Sequence, residues 1–130
     1  EEMTALSALH YTPGHEWISI EGDVATIGIT DYAAEQLGDV VFLELPEIDS
    51  AVTAGQVVGE IESTKSVGEL FAPMDGDIVG VNEAAVDDPS LVNSEPFAGG
   101  WLIKVRVATS ELPAGLLDRA GYAALTGGSL

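Results

Sequence analysis

EIESTKSVGEL, residues 60–70, is the stretch on which the reading of the fold turns. The β-rich run Val57 to Glu62 enters it, Ser63-Thr64-Lys65-Ser66 interrupts with four polar residues, and Val67 to Phe71 leaves as a second β-rich run. Two such runs joined by a short polar stretch predict a hairpin with Lys65 in its loop. The chain has only two lysines, Lys65 and Lys104, against 22 acidic residues. One of these scarce amines therefore sits among Glu60, Glu62 and Glu69. The plain reading is a solvated surface residue, because exposed ion pairs contribute little to stability. The pattern also allows another. A tight loop with small polar neighbours holds an amine where another protein can reach and acylate it.

Strand signals continue on both sides of the hairpin. Ile18 and Ile20 alternate with Ser19, Glu21-Gly22-Asp23 forms a turn, and Val24 to Ile29 is β-rich. Thr30 or Asp31 caps a short helix over 32–37, which Gly38 stops. Val40 to Leu45 is a strand closed by Pro46, and Val52 to Gln56 reads as a loop turning at Gly55. Pro73-Met74-Asp75-Gly76 is a turn before a strand over 77–81, and 82–92 is loop or short helix. Trp101 to Val107 is the last strand. Trp101, Ile103 and Val105 share its inner face, and Lys104 and Arg106 a solvated outer face. Apolar residues at helical spacing then predict a helix over about 110–126, from Ser110 to the Gly127-Gly128 stop. Gly22-Asp23-Val24 and Gly76-Asp77-Ile78 each open a strand, a faint internal echo compatible with two similar halves. Short strands separated by regular turns make this a mainly β chain, a small sandwich or barrel with a helix packed outside.

Composition narrows the function. A chain of 130 residues that is 46% hydrophobic is one globular domain. A net charge of −18 argues against nucleic acid and anionic membranes as partners, and fits proteins with basic faces. There is no cysteine, which removes disulfides and thiolate chemistry, and His10 and His15 alone are a weak metal signal. No Ser-His-acid set or metal cluster supports a hydrolase. No run approaches about 18 consecutive apolar residues, and neither a secretory apolar region nor an Arg-rich transit pattern is visible. A purely structural acidic binding module remains the alternative from another class.

The segment Gly59-Glu60-Ile61-Glu62-Ser63-Thr64-Lys65-Ser66 resembles the lipoylation segment of the glycine cleavage system H protein family. The resemblance runs on through Ala72-Pro73-Met74-Asp75-Gly76-Asp77-Ile78-Val79 and Val81-Asn82-Glu83. It also includes His15-Glu16-Trp17, Ile27-Gly28-Ile29-Thr30-Asp31, Leu37-Gly38-Asp39-Val40-Val41-Phe42, Leu91-Val92-Asn93-Ser94 and Gly99-Gly100-Trp101-Leu102-Ile103-Lys104. These blocks occur in order over about residues 10–107. Biotin carrier domains place the modified lysine between two methionines, and acyltransferase lipoyl domains show Asp-Lys-Ala; Thr64-Lys65-Ser66 departs from both.

The resemblance implies a mainly β lipoyl-type β-sandwich, a barrel-sandwich hybrid with short helices and a C-terminal helix. It implies a single lipoyl-carrier domain over 1–130, with its core at about 10–107. It implies no catalytic residue and no metal, but lipoic acid covalently attached to Lys65. Implied partners are glycine decarboxylase (P protein), aminomethyltransferase (T protein), dihydrolipoamide dehydrogenase (L protein) and a lipoate ligase or lipoyltransferase, meeting a monomer in the cytoplasm, or in the mitochondrial matrix of a eukaryote. Alternatives are an H-like carrier relaying lipoate to other complexes, or a lipoyl domain of a 2-oxoacid dehydrogenase. By motif position, Glu16 and Glu69 line a cleft for the loaded arm, with Ile29 as apolar wall. Gly14 stands where family members carry a hydroxyl residue, removing one hydrogen bond. His15 is expected as a bonded ring near a strand start, and Trp17 as core.

Overall fold

The computed structural model describes residues 10–12, 14–97, 99–107, 116–118, 121, 122 and 124. Nine strands are named: β1 His10–Tyr11, β2 Glu16–Glu21, β3 Val24–Ile29, β4 Val40–Glu44, β5 Ala51–Val52, β6 Val57–Ser63, β7 Val67–Phe71, β8 Gly76–Val81 and β9 Ile103–Val107. They form a six-stranded sheet in the order β1-β2-β3-β9-β8-β5 and a three-stranded sheet in the order β4-β6-β7. Three short helices join them: α1 Asp31–Leu37, α2 Glu83–Asp87 and α3 Ser90–Ser94. Every named strand pair is antiparallel. The expected β-sandwich with short helices is what the chain forms.

The core follows from strand alternation. Ile18, Ala25, Ile27, Ile103, Val105 and Ile78 of the large sheet pack against Leu43, Ile61 and Leu70 of the small one, all buried. β2 is buried on both faces at its start, because Trp17 points away from that core into a second cluster with Tyr11 and Tyr122. Tyr11 and Tyr122 stack with centroids 5.0 Å apart. Trp17 Nε1 donates to the Pro96 carbonyl at 2.8 Å, satisfying the indole as burial requires. The cross-strand partner of Trp17 is Gly28, where an added Cβ would lie 2.7 Å from Trp17 Nε1. Only a residue without a side chain leaves room for the ring.

Helix α1 is built as its sequence dictates. Thr30 is the N-cap, its hydroxyl accepting from Ala33 N at 3.1 Å, and Gly38 ends the helix at φ +85. Residues 82–92 hold two helices with a break at Pro89: Asn82 caps α2, and α3 follows. The loop expected over 52–56 begins with Val52 in the two-residue strand β5, which pairs with β8. The last strand starts at Ile103 rather than Trp101, and Lys104 is half-buried with Nζ 4.9 Å from the Trp101 ring centroid instead of lying on a solvated face. Cation–π attraction and the strand's own neighbours hold it there.

The helix expected over 110–126 is absent at 116–118. Leu117 is extended and exchanges two backbone hydrogen bonds with Tyr11, at 2.7 and 2.8 Å, so this part of the tail extends the edge of the large sheet. The backbone groups of β1 need partners there, and Leu117 supplies them. Gly121, Tyr122 and Ala124 are helical, while 108–115, 119, 120, 123 and 125–130 lie outside the described residues. The Gly-Asp echo has no common geometry. Gly22 occupies a turn at φ +63, whereas Gly76 lies in β8, where a Cβ would strike the Arg106 carbonyl.

Candidate functional site

The hairpin is where the sequence predicts it, and its turn is built by Ser63. Ser63 N donates to Ser66 O at 2.8 Å, and the Ser63 hydroxyl accepts from Ser66 N at 3.0 Å and Lys65 N at 3.2 Å while donating to Ser66 O at 3.1 Å. A serine that bonds the backbone two and three residues on is a turn-forming device. It closes the loop without using Thr64, Lys65 or Ser66 side chains, and all three are exposed.

A second layer fixes the turn against α1. Thr64 N donates to Asp39 O at 3.0 Å. Asn93 of α3 holds both sides of that loop, donating from Nδ2 to Gly38 O at 2.9 Å and accepting Val40 N on Oδ1 at 2.8 Å. The aliphatic stem of Lys65 lies over Gly38, where an added Cβ would sit 3.1 Å from Lys65 Cε. Gly38 thus serves the left-handed helix end and the lysine at once.

The acids around Lys65 do not hold it. Among the described residues the ion pair formed is Arg106–Asp23 at 3.6 Å, not one with Lys65. Strand register explains this. Glu62 stands between Phe42 and Val67 in a row across the outer face of the small sheet, and Glu44, Glu60 and Glu69 form the next row. Phe42 and Val67 are half or more exposed, at 50% and 60%. Like charges directly opposite one another destabilise a sheet, so stability alone does not account for the second row.

The three predicted cleft residues stand on strands rather than in the lysine turn itself. Glu16 is buried and pairs with Ile29, also buried, across β2 and β3. Its Oε2 accepts from Phe71 N at 3.0 Å, and Oε1 from the Thr12 hydroxyl at 3.0 Å. Phe71 lies on the outer edge of the small sheet, so this carboxylate ties one sheet to the other and covers a free strand edge. Burial pushes the Glu16 carboxyl above its ordinary value, although its two hydrogen bonds pull the other way. Glu69 is exposed on β7, two residues before the Phe71 whose N–H donates to Glu16. Thr12 takes the place expected of a hydroxyl at Gly14: a Cβ there would be 3.6 Å from Thr12 Oγ1 and 3.8 Å from Glu16 Oε1.

His15 and Trp17 are structural, as expected. His15 Nδ1 lies 2.8 Å from the Tyr122 hydroxyl, itself 2.6 Å from Thr30 Oγ1, which joins the tail to the α1 cap. Sequence reasoning did not single out Ser63, Asp39, Thr12 or Asn93 for these roles. A serine two before the loop residue was a usable turn signal for Ser63; nothing local in the sequence marks Asn93.

The family model of the glycine cleavage H-protein matches residues 9–127. The glycine cleavage system H protein of Clavibacter sepedonicus is 58% identical over 125 residues, spanning 96% of this chain and 99% of that one. That of Thermobifida fusca is 54% identical over 126 residues, spanning 97% and 98%. The crystal structure of a glycine cleavage system H protein from Mycobacterium marinum superposes with a TM-score of 0.86 at 44% identity, covering 93% of this chain and 98% of that one. These names do not favour a lipoate relay or a 2-oxoacid dehydrogenase domain. With its two-sheet fold and its lysine hairpin, the chain belongs to the glycine cleavage H-protein family.

Proposed function

We propose that the chain is the lipoyl-carrying shuttle of glycine cleavage, a single carrier domain over 1–130 with lipoic acid joined as an amide to Lys65 Nζ and no catalytic group of its own. The observation that carries this reading is an exposed lysine, in no ion pair among the described residues, on a turn fixed by five hydrogen bonds that involve Ser63 and Thr64. Lys65 fits the group: Thr64 and Ser66 leave the amine open, and the stem rests on a glycine. In attachment, the Lys65 Nζ lone pair attacks the activated carboxyl carbon of lipoate. The C–N bond forms, the adenylate leaving group departs as AMP, and the surplus ammonium protons pass to solvent. When bound to Lys65, the group would supply a dithiolane able to carry the aminomethyl unit of glycine between glycine decarboxylase and aminomethyltransferase, with dihydrolipoamide dehydrogenase as its reoxidant.

The other residues position and attract. Amide formation removes the charge of Lys65 and leaves the outer face of the small sheet acidic beside it. The Phe42–Glu62–Val67 row gives partners an apolar footing, and Glu44, Glu60 and Glu69 meet their basic residues. Glu16, Glu69 and Ile29 form the resting place of the loaded arm. Each Glu16 oxygen keeps a second lone pair, and an ammonium there offsets the desolvation of the carboxylate. Glu16→Gln keeps the shape and lowers the charge, so the loaded form should break down faster in water; an unchanged lifetime would remove Glu16 from this role. The carrier works as a monomer in the cytoplasm, a setting in keeping with its bacterial relatives. Lys65→Arg tests the whole reading: it should keep the fold and abolish glycine cleavage, and retained activity would overturn it.

A further inference from the structure

We infer that Asn93 is a positioning residue for the acylation of Lys65, acting through the Gly38–Asp39 loop; the inference rests on the carrier reading above. Asn93 stands on α3, and its side-chain hydrogen bonds go to Gly38 and Val40 rather than to the lysine turn. Its amide spans the loop after α1, with Nδ2 on Gly38 O and Oδ1 on Val40 N. Between those two anchors lie the Asp39 carbonyl that receives Thr64 N and the Gly38 surface that carries the Lys65 stem. The turn's own serine bonds shape the loop and the β6–β7 ladder carries it. The chain α3–Asn93–loop–Thr64 adds the lateral anchor that sets its tilt against α1.

An acylating enzyme that recognises the oriented turn binds only the fraction of carriers that present it. Loosening the loop therefore raises KM by the reciprocal of that fraction and leaves kcat unchanged. Asn93→Asp keeps the acceptor for Val40 N and puts an oxygen against Gly38 O, removing one bond and adding a repulsion. The expected rise in KM is about tenfold, equivalent to about 1.4 kcal/mol.

Asn82 provides the control. It is a more deeply buried asparagine whose Nδ2 donates to Gly99 O at 2.8 Å and Trp101 O at 2.7 Å, with no bond to the lysine turn. Asn82→Asp lowers stability but should leave the acylation KM as it is. The full-length chain, Asn93→Asp and Asn82→Asp are incubated with lipoate, ATP and a lipoate ligase below their melting temperatures, and adduct formation is followed by intact mass. If Asn93→Asp does not fold, Asn93→Ala, which removes both bonds without adding a repulsion, decides on the same criteria. A raised KM with unchanged kcat in the loop variant alone supports the inference. Equal kinetics in Asn93→Asp and wild type overturn it, as does an equal KM rise in Asn82→Asp or a loss confined to kcat. Failure of the wild type itself to be acylated would instead overturn the carrier reading.

Discussion

Glu16→Ala would remove a side chain that holds the two sheets together. In the native chain the carboxylate accepts from Thr12 Oγ1 and Phe71 N, both at 3.0 Å, from a buried position. Truncation leaves the Phe71 N–H on a part-buried strand edge without its acceptor, at the lower end of the about 1–3 kcal/mol that a buried donor costs, and frees Thr12. Relief of the buried charge returns part of that cost. A net loss of about 1 kcal/mol at neutral pH lowers Tm by about 4 °C for a domain of this size. Glu16→Gln separates charge from geometry. Its carbonyl can accept from Phe71 N while its amide donates to Thr12 Oγ1.

The sign of the pH effect follows from the raised carboxyl. Desolvation, the largest influence, lifts Glu16 above its ordinary 4.5, and the hydrogen bonds from Phe71 and Thr12 oppose it less strongly. The folded state therefore holds the proton more tightly than the unfolded one. Its stabilising contribution is complete below 4.5 and is lost as pH rises through the raised folded value. Glu16→Gln has no such loss, so Tm of the variant minus Tm of the wild type should grow across that window. Thermal unfolding over a pH series reads it. Parallel curves would refute the desolvated carboxylate, and an unchanged Tm in Glu16→Ala would refute the inter-sheet tie.

Three further perturbations test other parts of the account. Gly28→Ala places a Cβ 2.7 Å from Trp17 Nε1, which should cost about 1–3 kcal/mol and shift tryptophan emission as the ring is pushed from its pocket; native emission and Tm would count against the close approach. Burial lowers the pKa of His15, so its contribution is present above 6.5 and lost as pH falls through the lowered value. His15→Asn, which tolerates φ +72, should flatten the Tm curve below 6.5, and an unchanged slope would contradict this. Glu60→Thr relieves the like-charge row and should raise stability by about 0.5 kcal/mol, while slowing loading by the decarboxylase and weakening its salt dependence. Faster or unaltered loading would argue against that face as the contact.

Much of this molecule was legible because its signals are local. Thr30 and Gly38 marked the ends of α1, and Val57 to Phe71 read as a hairpin because four polar residues interrupt two β-rich runs. Lys65 was visible by scarcity, position and family motif. What escaped was set by distant partners. Ala51–Val52 is too short to carry a period, and it is a strand only because β8 lies beside it. Leu117 has helical spacing in sequence, yet the open edge at Tyr11 claims its backbone. The motif position of Glu16 marked it for a cleft, but only the fold shows that its oxygens already serve Thr12 and Phe71. Asn93 is 28 residues from Lys65, and its bearing on the turn passes entirely through a third segment.

The central claim is that Lys65 is the attachment point of lipoate, and intact-mass analysis with peptide mapping after incubation with lipoate, ATP and a lipoate ligase tests it most directly. The account predicts one lipoyl group, on Lys65, with Lys104 unmodified over the Trp101 ring and no adduct in Lys65→Arg. An unmodified folded chain, or an adduct that maps to Lys104, would contradict it.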